Sequence, residues 1–516
     1  QKKGVPFMWG NLQDTTLQNA LKGPGQLLDG QKVLDYIRGS SANEGQNSGQ
    51  FRPRYRGAPG VAPLGDSPHN TPLLVQYGGG GTVFLGANDG MLHAFDANTG
   101  KEQFAYIPSA LISKLAELTN GHAFYVDGEI LMTTPAQTPG QYLLVGALGR
   151  GGKGLYGLDA SNPAGFYENN VKWEINGSRT CPDPDPDTNY LGNVVGSLVY
   201  AEVKGKPSVV FGNGYNSCSD KAALAIVNAI DGSVAFIKAS DESKNGLAAP
   251  GIGEDPTDHA VSAYAGDLLG KMWKFGMIPL LGTPQKILDP GVAPQPITAQ
   301  PATMVIEPTP GTKRTFVFFG TGSYLGVADR GTTAPQYLYG LADNSGATVS
   351  RSDLKPLTFT TAENNGLRVK TATPQSGAAT DSKKGWYIQM TDAGERVVSA
   401  PIFYRDSVIF TSIVPSNKND PCDDSKGSGY LYMINPKTGE TVERLFILDG
   451  AEVPDVASNS NIGEVLGGMP GQARIIEGRI VICGQDVAKC ISLGEPHSPP
   501  DNPSKGRISW REIITH

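Results

Sequence analysis

No stretch of this chain strings together eighteen or more apolar residues, so no helix written in it is long and oily enough to cross a bilayer. Charge is sparse: 18% of the 516 residues are charged and the net charge is −7, which leaves no basic footprint for nucleic acid. Catalytic signatures are missing as well. There is no GxSxG, no HExxH, no GxxxxGK(S/T) and no cysteine–histidine protease signature, so no catalytic residue is assigned. The glycine-rich "LVGALGRGGKGLYGLD" lacks a lysine followed by serine or threonine at phosphate-loop spacing and reads as a strand–turn–strand corner. Cysteine is scarce, at five, with no CxxC, and the six histidines are scattered, so no zinc-type grouping can be read. The chain opens on Gln1 without an initiator methionine or signal peptide, and is expected to be a mature or trimmed fragment whose targeting must be inferred indirectly.

Glycine (66) and proline (38) are abundant and mixed among apolar runs, which implies many turns and not disorder. Near the start, "GPGQLLDGQKVLDYIRG" places Leu27, Leu28, Val33, Leu34 and Ile37 at helical spacing with a stop at Gly39, predicting a helix over 25–38. A polar linker, "SSANEGQNSGQFRPRYRGAPG", follows and is expected to be mobile; order resumes at "LGDSPHNTPLLV". The chain therefore divides into a helical lead-in with a flexible linker, 1–63, and a main domain, 64–516.

In the main domain one unit recurs. "GTVFLGANDGMLHAFDANTG" reads as two strands around an Asn-Asp-Gly turn, closed by Asn98-Thr99-Gly100. Degenerate copies follow as "LYGLDASNPAG", "LAIVNAIDG", "KMWKFGM", "YLYGLADNSG" and "YLYMINPKTG". Between them lie short β-branched or aromatic runs such as "QYLLVGAL", "PSVVFGNGY" and "RTFVFFGTG". Repeated short strands of this kind predict an all-β propeller, whose radial repetition leaves only short edges. Seven blades are expected, with eight or an irregular six as alternatives, and the irregular spacing implies long loops where binding would sit.

The polar loops "RTCPDPDPD" and "GYNSCSD" carry Cys181 and Cys218, and "ICGQDVAKCI" sets Cys483 and Cys490 at matching points of a hairpin. A bridge is expected within each pair, with Cys422 left over. Disulfides imply export; five unpaired thiols in a cytosolic protein is the alternative. The alternating oxygens of Asp183, Asp185, Asp187 and Asn189 suit calcium in principle, but no later acid closes the shell, so a solvated loop is expected.

Residues 87–100 resemble the "A-x-D-G-x-L-x-A-x-D-x-x-T-G" docking motif of quinoprotein dehydrogenases. That makes a quinoprotein-like dehydrogenase the alternative function. The vicinal cysteines and the acid–amide cluster of its cofactor pocket are absent, and Gln103-Phe104 stands where that family carries tryptophan. The motif is therefore expected to be a turn that locks neighbouring blades, with no quinone bound.

Several segments together carry a second resemblance: "LGANDGMLHAFDANTG", "VVFGNGYNS", "YAGDLLGKMWKF", "FGTGSYLG", "QYLYGLADN", "GERVVSAPIFYRDSVIFTSIVPSNKNDPC" and "GRISWREI". In this order, from residue 64 to 513, they resemble the C-terminal propeller of the PilC/PilY family of type IV pilus tip adhesins and biogenesis factors. The resemblance implies a modified, quinoprotein-like seven-bladed propeller on an exported protein of a Gram-negative bacterium. It would sit at the pilus tip, the outer-membrane surface or the periplasm. Its implied role is pilus extension against retraction, twitching motility, adhesion and virulence, with minor pilins and host-cell or abiotic surfaces as partners. A larger N-terminal region of the full-length protein would be missing.

Two features depart from that family. A calcium loop of its type would end three residues before Tyr264 and span Gly253 to Val261, with ligand positions Gly253, Asp255, Thr257 and Val261. Only Asp255 keeps a carboxylate; Glu254 and Asp258 are acidic but out of phase. These three acids would be the metal residues if calcium bound, and no tight site is expected. Where some relatives carry Arg-Gly-Asp, this chain has Arg38-Gly39-Ser40, which removes the carboxylate an integrin's metal would need.

Overall fold

The structure, a computed structural model, describes residues 4–54, 63–442 and parts of 447–494, apart from short stretches within them. It divides into two compact units: residues 1–289 with 296–300 and 346–348, and residues 290–295, 301–345 and 349–516.

In the first unit, α1 (Thr15–Leu21) and α2 (Gly30–Ile37) precede the sheets. The second helix starts later than its apolar spacing predicts. The Asp29 carboxylate accepts the amides of Gln31 and Lys32, which fixes the first turn at Gly30. Leu27 is left outside the helix and 87% exposed. Gly39, at φ 103°, ends the helix as expected. Leu21, Val33, Leu34 and Ile37 pack into one apolar cluster with Phe84, Leu92 and Leu115, so the lead-in shares the core of the first sheet. The described part of the polar linker is pinned too. Glu44, fully buried, pairs with Arg54 at 2.8 Å. The Arg54 guanidinium lies 3.6 Å over the Tyr36 ring.

Four antiparallel meanders follow in chain order. The first is Leu73–Tyr77, Gly80–Gly86, Leu92–Asp96 and Glu102–Tyr106. The second is Ile130–Met132, Leu143–Ala147, Gly154–Asp159 and Val171–Asn176. The third is Val199–Val203, Lys206–Gly212, Ala223–Asn228 and Val234–Lys238. The fourth is Gly251–Glu254, Val261–Gly266, Met272–Ile278 and Gln285–Asp289.

The second unit holds three sheets. In the first of these, Ala302–Thr309, Thr312–Gly320, Tyr337–Ala342 and Gly385–Gln389 form a meander. The hairpin Lys355–Asn364 and Leu367–Pro374 is inserted before its last strand and pairs parallel to it. The next sheet is Ile402–Tyr404, Ser407–Val414 and Ser428–Ile434. The last joins Arg474–Ile476, Arg479–Cys483, Cys490–Gly494 and Ile447–Leu448. Seven sheets are thus present among the described residues.

Each recurring copy in the sequence is the third strand of a sheet, together with the turn that follows it. A second regularity accompanies it. The third strand places a small residue opposite an aromatic of the fourth: Ala94 faces Phe104, Gly157 faces Trp173, Ala225 faces Phe236 and Gly340 faces Trp386. Trp173 reaches further, into the turn after the next third strand. Its Nε1 donates to the Ala229 carbonyl at 3.0 Å, and its ring lies on Gly232, whose φ is 73°. Trp386 repeats this in the second unit with the Pro436 carbonyl at 3.0 Å and Gly439 at φ 77°. Each indole is therefore clamped between two glycines of neighbouring sheets. In the first sheet the clamp is aromatic: Phe104 stacks on Phe166 at 3.8 Å.

Candidate functional site

Three histidines that look unrelated in sequence converge on one end of the first two sheets. The organiser is the segment "LGDSPHN", residues 64–70, which runs as a strap past the Asn88-Asp89-Gly90 turn. That turn joins the second and third strands of the first sheet and needs Gly90 at φ 101°. Its side chains grip the strap. Gly65 donates its amide to Asp89 Oδ2 at 2.9 Å, and Asn88 donates its amide to the Asp66 carbonyl at 2.9 Å. Asn88 Oδ1 accepts the Tyr125 amide at 2.9 Å, so one turn holds both the strap and the chain entering the second sheet. Further along, Ser67 Oγ donates to Gly86 O at 2.8 Å and Asn70 Nδ2 to Val126 O at 2.7 Å.

Each histidine meets an aspartate. His122 Nε2 lies 2.9 Å from Asp66 Oδ1, His69 Nδ1 lies 2.8 Å from Asp127 Oδ1, and His93 Nε2 lies 3.0 Å from Asp89 Oδ2. Arg150 reaches His69 Nε2, and its guanidinium sits 5.7 Å over the Phe124 ring. His69 and His122 are partly exposed, so this end presents a mixed polar and aromatic surface. Both ring nitrogens of His93 are engaged, Nδ1 with Glu102 Oε1 at 2.6 Å and Nε2 with Asp89. The ring has no lone pair left to act as a base. His93 therefore braces the turn between its two carboxylates.

Burial alone disfavours the charged His93 ring. The hydrogen bonds and charges of Asp89 and Glu102 outweigh it and raise the imidazole to about 9. A folded value above the unfolded 6.5 means stabilisation is fully present below pH 6.5 and is lost as pH rises through about 9. The expected loss is on the order of 3 kcal/mol. Urea midpoints below pH ~6 and above pH ~10 should fall more in the wild type than in His93→Gln. Equal falls in the two proteins would refute the assignment.

The cysteine loops meet in the third sheet's surroundings. Cys181 and Cys218 form a disulfide with Cα atoms 5.2 Å apart. It ties the loop before that sheet to the turn between its second and third strands. Lys153 Nζ lies 3.8 Å from the Cys218 sulfur. The Asp183 carboxylate caps its own loop: it accepts from the Ser178 amide, the Asp185 amide and the Thr188 hydroxyl. Asp187 lies outside the described residues. Replacing both Cys181 and Cys218 by serine is expected to lower stability by about 2–4 kcal/mol, read from denaturant midpoints. A non-reduced peptide map should show the linked pair, and unlinked peptides would count against it. The backbones of Cys483 and Cys490 are register partners in the last sheet. Their side chains and Cys422 lie outside the described residues.

The loop over Gly253–Val261 is a tight hairpin connection. Glu254 pairs with Val261 in register, and the Asp255 amide donates to Ala260 O at 2.9 Å. Its acids serve their own turn. Asp255 Oδ1 accepts the Thr257 amide at 2.8 Å, Asp258 Oδ1 the Ala260 amide at 3.0 Å, and Glu254 lies 2.5 Å from His259 Nδ1. Among the described residues no three or more His, Cys, Asp or Glu side chains are grouped to hold a metal ion.

The quinoprotein-like motif also resolves into turn chemistry. Asp96 Oδ1 accepts from the amides of Asn98 and Thr99 and from the Thr99 hydroxyl. The bonds from Thr99, led by its hydroxyl, hold the Asp96 carboxyl below its usual range. Sequence reading treated the histidines as scattered and missed the strap. The local signal was Asp89 four residues before His93; the pairs 66–122 and 69–127 are long-range and leave none.

Comparison with known proteins agrees with this architecture. A family profile described as the PilY1 beta-propeller domain matches residues 63–282. A type IV pilus biogenesis factor PilY1 homolog of Xylella fastidiosa is 32% identical over 98% of this chain and 42% of its own length. The type IV pilus biogenesis factor PilY1 of Pseudomonas aeruginosa strain PAK is 30% identical over 98% of this chain and 50% of its own. The chain thus spans half or less of these relatives' length. The crystal structure of the Pseudomonas aeruginosa PilY1 C-terminal domain superposes with a TM-score of 0.61 at 27% identity, covering 80% of this chain and 92% of that one.

Proposed function

The chain belongs to the PilY1 β-propeller family, and on that premise we propose that it is the propeller part of an exported type IV pilus biogenesis factor. One observation carries the reading: the similarity to curated pilus biogenesis factors extends over 98% of the chain. The propeller is a rigid scaffold whose turns hold loops such as the 64–70 strap in place for contacts at the cell surface. The proposed roles are support of pilus extension against retraction, twitching motility and adhesion. Minor pilins at the pilus tip and host-cell or abiotic surfaces are the proposed partners. The proposed location is the pilus tip, outer-membrane surface or periplasm of a Gram-negative bacterium. The reading is non-enzymatic, in line with relatives that carry biogenesis names and not enzyme names.

Deleting residues 64–516 in the source bacterium is expected to abolish or reduce surface pili and twitching. Loss of attachment alone would restrict the role to adhesion. Unchanged pili, twitching and attachment would overturn the reading.

The Gly253–Val261 hairpin is proposed to be free of calcium. A hard dication needs six to eight oxygens converging on it, and the acids here are spent on turn amides and on His259. Calorimetric titration of the metal-stripped protein is expected to show no micromolar site at this loop. Micromolar calcium binding that disappears in Asp255→Ala would contradict this.

A further inference from the structure

Inside the second unit lies a buried amine with two carboxylates. Lys370, on the strand Leu367–Pro374, is fully buried. Its Nζ lies 3.0 Å from Asp392 Oδ1 and 2.6 Å from Glu395 Oε2. Both acids come from the segment after the strand Gly385–Gln389. The surroundings are aromatic and mostly dry. Nζ sits 3.7 Å from the centre of the Tyr430 ring, Glu395 is 1% exposed, and the Asp392 side chain is 15% exposed. Every carboxylate oxygen is aimed. Tyr430 donates its hydroxyl to Asp392 Oδ2 at 2.6 Å. Ser412 donates to Glu395 Oε1 at 2.6 Å, and Tyr432 donates to the same oxygen.

We propose that Lys370 and Asp392 are a modification site: they condense into a side-chain amide, with Glu395 as the catalytic acid–base. Three observations point there. First, the Lys370 ammonium shares a mostly dry site with two carboxylates, and keeping charges buried there is costly. The condensation proceeds through Asp392 as the neutral acid, which supplies the electrophile. Second, the amine is already held at contact distance from the carboxyl, which removes the entropy of bringing the two together. Third, Glu395 touches the attacking nitrogen while Tyr430 donates to the oxygen on which charge develops.

The step balances without any co-reactant. Glu395, ionised, takes one proton from the Lys370 ammonium. The free amine attacks Asp392 Cγ, forming a C–N bond. Glu395 returns that proton to the Asp392 hydroxyl, the C–O bond breaks and water leaves. The remaining surplus proton on nitrogen passes to Glu395, leaving a neutral amide beside a neutral acid. The product keeps no ion pair in the core, and it staples the inserted hairpin of residues 355–374 to the segment that follows the sheet. This inference does not depend on the pilus reading.

The test is mass spectrometry of the full purified chain, folded in its own host, then reduced and denatured. The expected mass is one water below that of the sequence. A tryptic digest should contain one branched peptide joining the segments around Lys370 and Asp392, with no cleavage after Lys370. Lys370→Arg and Glu395→Gln should each restore the full mass. If a variant fails to fold, the wild-type digest still decides. Full wild-type mass with ordinary cleavage after Lys370, or a missing water traced to a single unbranched peptide, would show an ion pair only and overturn the proposal.

Discussion

Trp386→Ala is expected to lower the stability of the second unit by about 3–5 kcal/mol, the range for removing a large buried aromatic. Trp386 is 1% exposed and belongs to an apolar cluster with Phe318, Leu357 and Phe410. Its two faces are covered by glycines that admit nothing larger: a Cβ on Gly340 would come within 2.4 Å of Trp386 Cε2, and one on Gly439 within 2.7 Å of the ring. The glycines on its two faces carry no side chain to fill the space, so much of the cavity term remains. The Pro436 carbonyl also loses its donor. Trp386→Phe separates the two contributions, since it keeps much of the packing and gives up the hydrogen bond, at about 1–3 kcal/mol for the orphaned carbonyl. Calorimetry reads both. An alanine variant that unfolds at the wild-type temperature would show that the clamp is not what joins these sheets. Trp173, with Gly157, Gly232 and the Ala229 carbonyl, makes the same clamp in the first unit and should follow the same ranking.

The clamp also shows what the sequence could reveal. The recurring segments are legible because a third strand flanked by its own turn is a local pattern: alternating apolar residues, then an Asp or Asn whose side chain caps the next amides. Asp96, Asn228 and Asn435 all do this. The rule that a small residue faces an aromatic is legible only once strands are paired, because Gly157 and Trp173, or Gly340 and Trp386, are far apart in sequence. In the first copy the tryptophan is replaced by Phe104, which hides the clamp where the motif is otherwise clearest. The strap is harder still. Asp66 and Asp127 find His122 and His69 across the first two sheets, and nothing in the composition of "LGDSPHN" marks it as other than a loop. The helix boundary was misread for a local reason. Leu27 and Leu28 fit the apolar spacing, but Asp29 is the better cap, and a cap outranks one more turn of weak periodicity. The buried Lys370 sits in a strand whose alternation is ordinary, so its burial had no signature before the two acids were placed beside it.

Arg396→Met is expected to release the loop over residues 323–332 and to lower global stability by about 2–4 kcal/mol. Arg396 is 2% exposed, and its guanidinium spends its donors on backbone carbonyls. Nε reaches Gly394 O at 2.8 Å, Nη1 reaches Ser323 O at 2.9 Å and Asp329 O at 2.5 Å, and Nη2 reaches Thr332 O at 2.7 Å. One side chain thus satisfies three carbonyls of a loop that has little apolar anchorage of its own. Methionine preserves the aliphatic stem and the volume but offers no donor. If all four carbonyls stayed buried and orphaned, the cost would be far larger than stated. The loop is mostly solvent-accessible, so three of them can turn to water, and the energy lost is limited to the ordered state of the loop. Asp329 retains a local hold through Ser323 Oγ at 2.9 Å and the Leu325 amide at 2.6 Å, which keeps the turn itself from unravelling. Hydrogen exchange should therefore rise across 323–332 while the flanking strands Thr312–Gly320 and Tyr337–Ala342 stay protected. Arg396→Lys, with one compact charged head in place of a fork, should recover only part of that protection. Wild-type exchange across the loop in Arg396→Met would mean that Asp329 alone orders it and that the arginine is redundant.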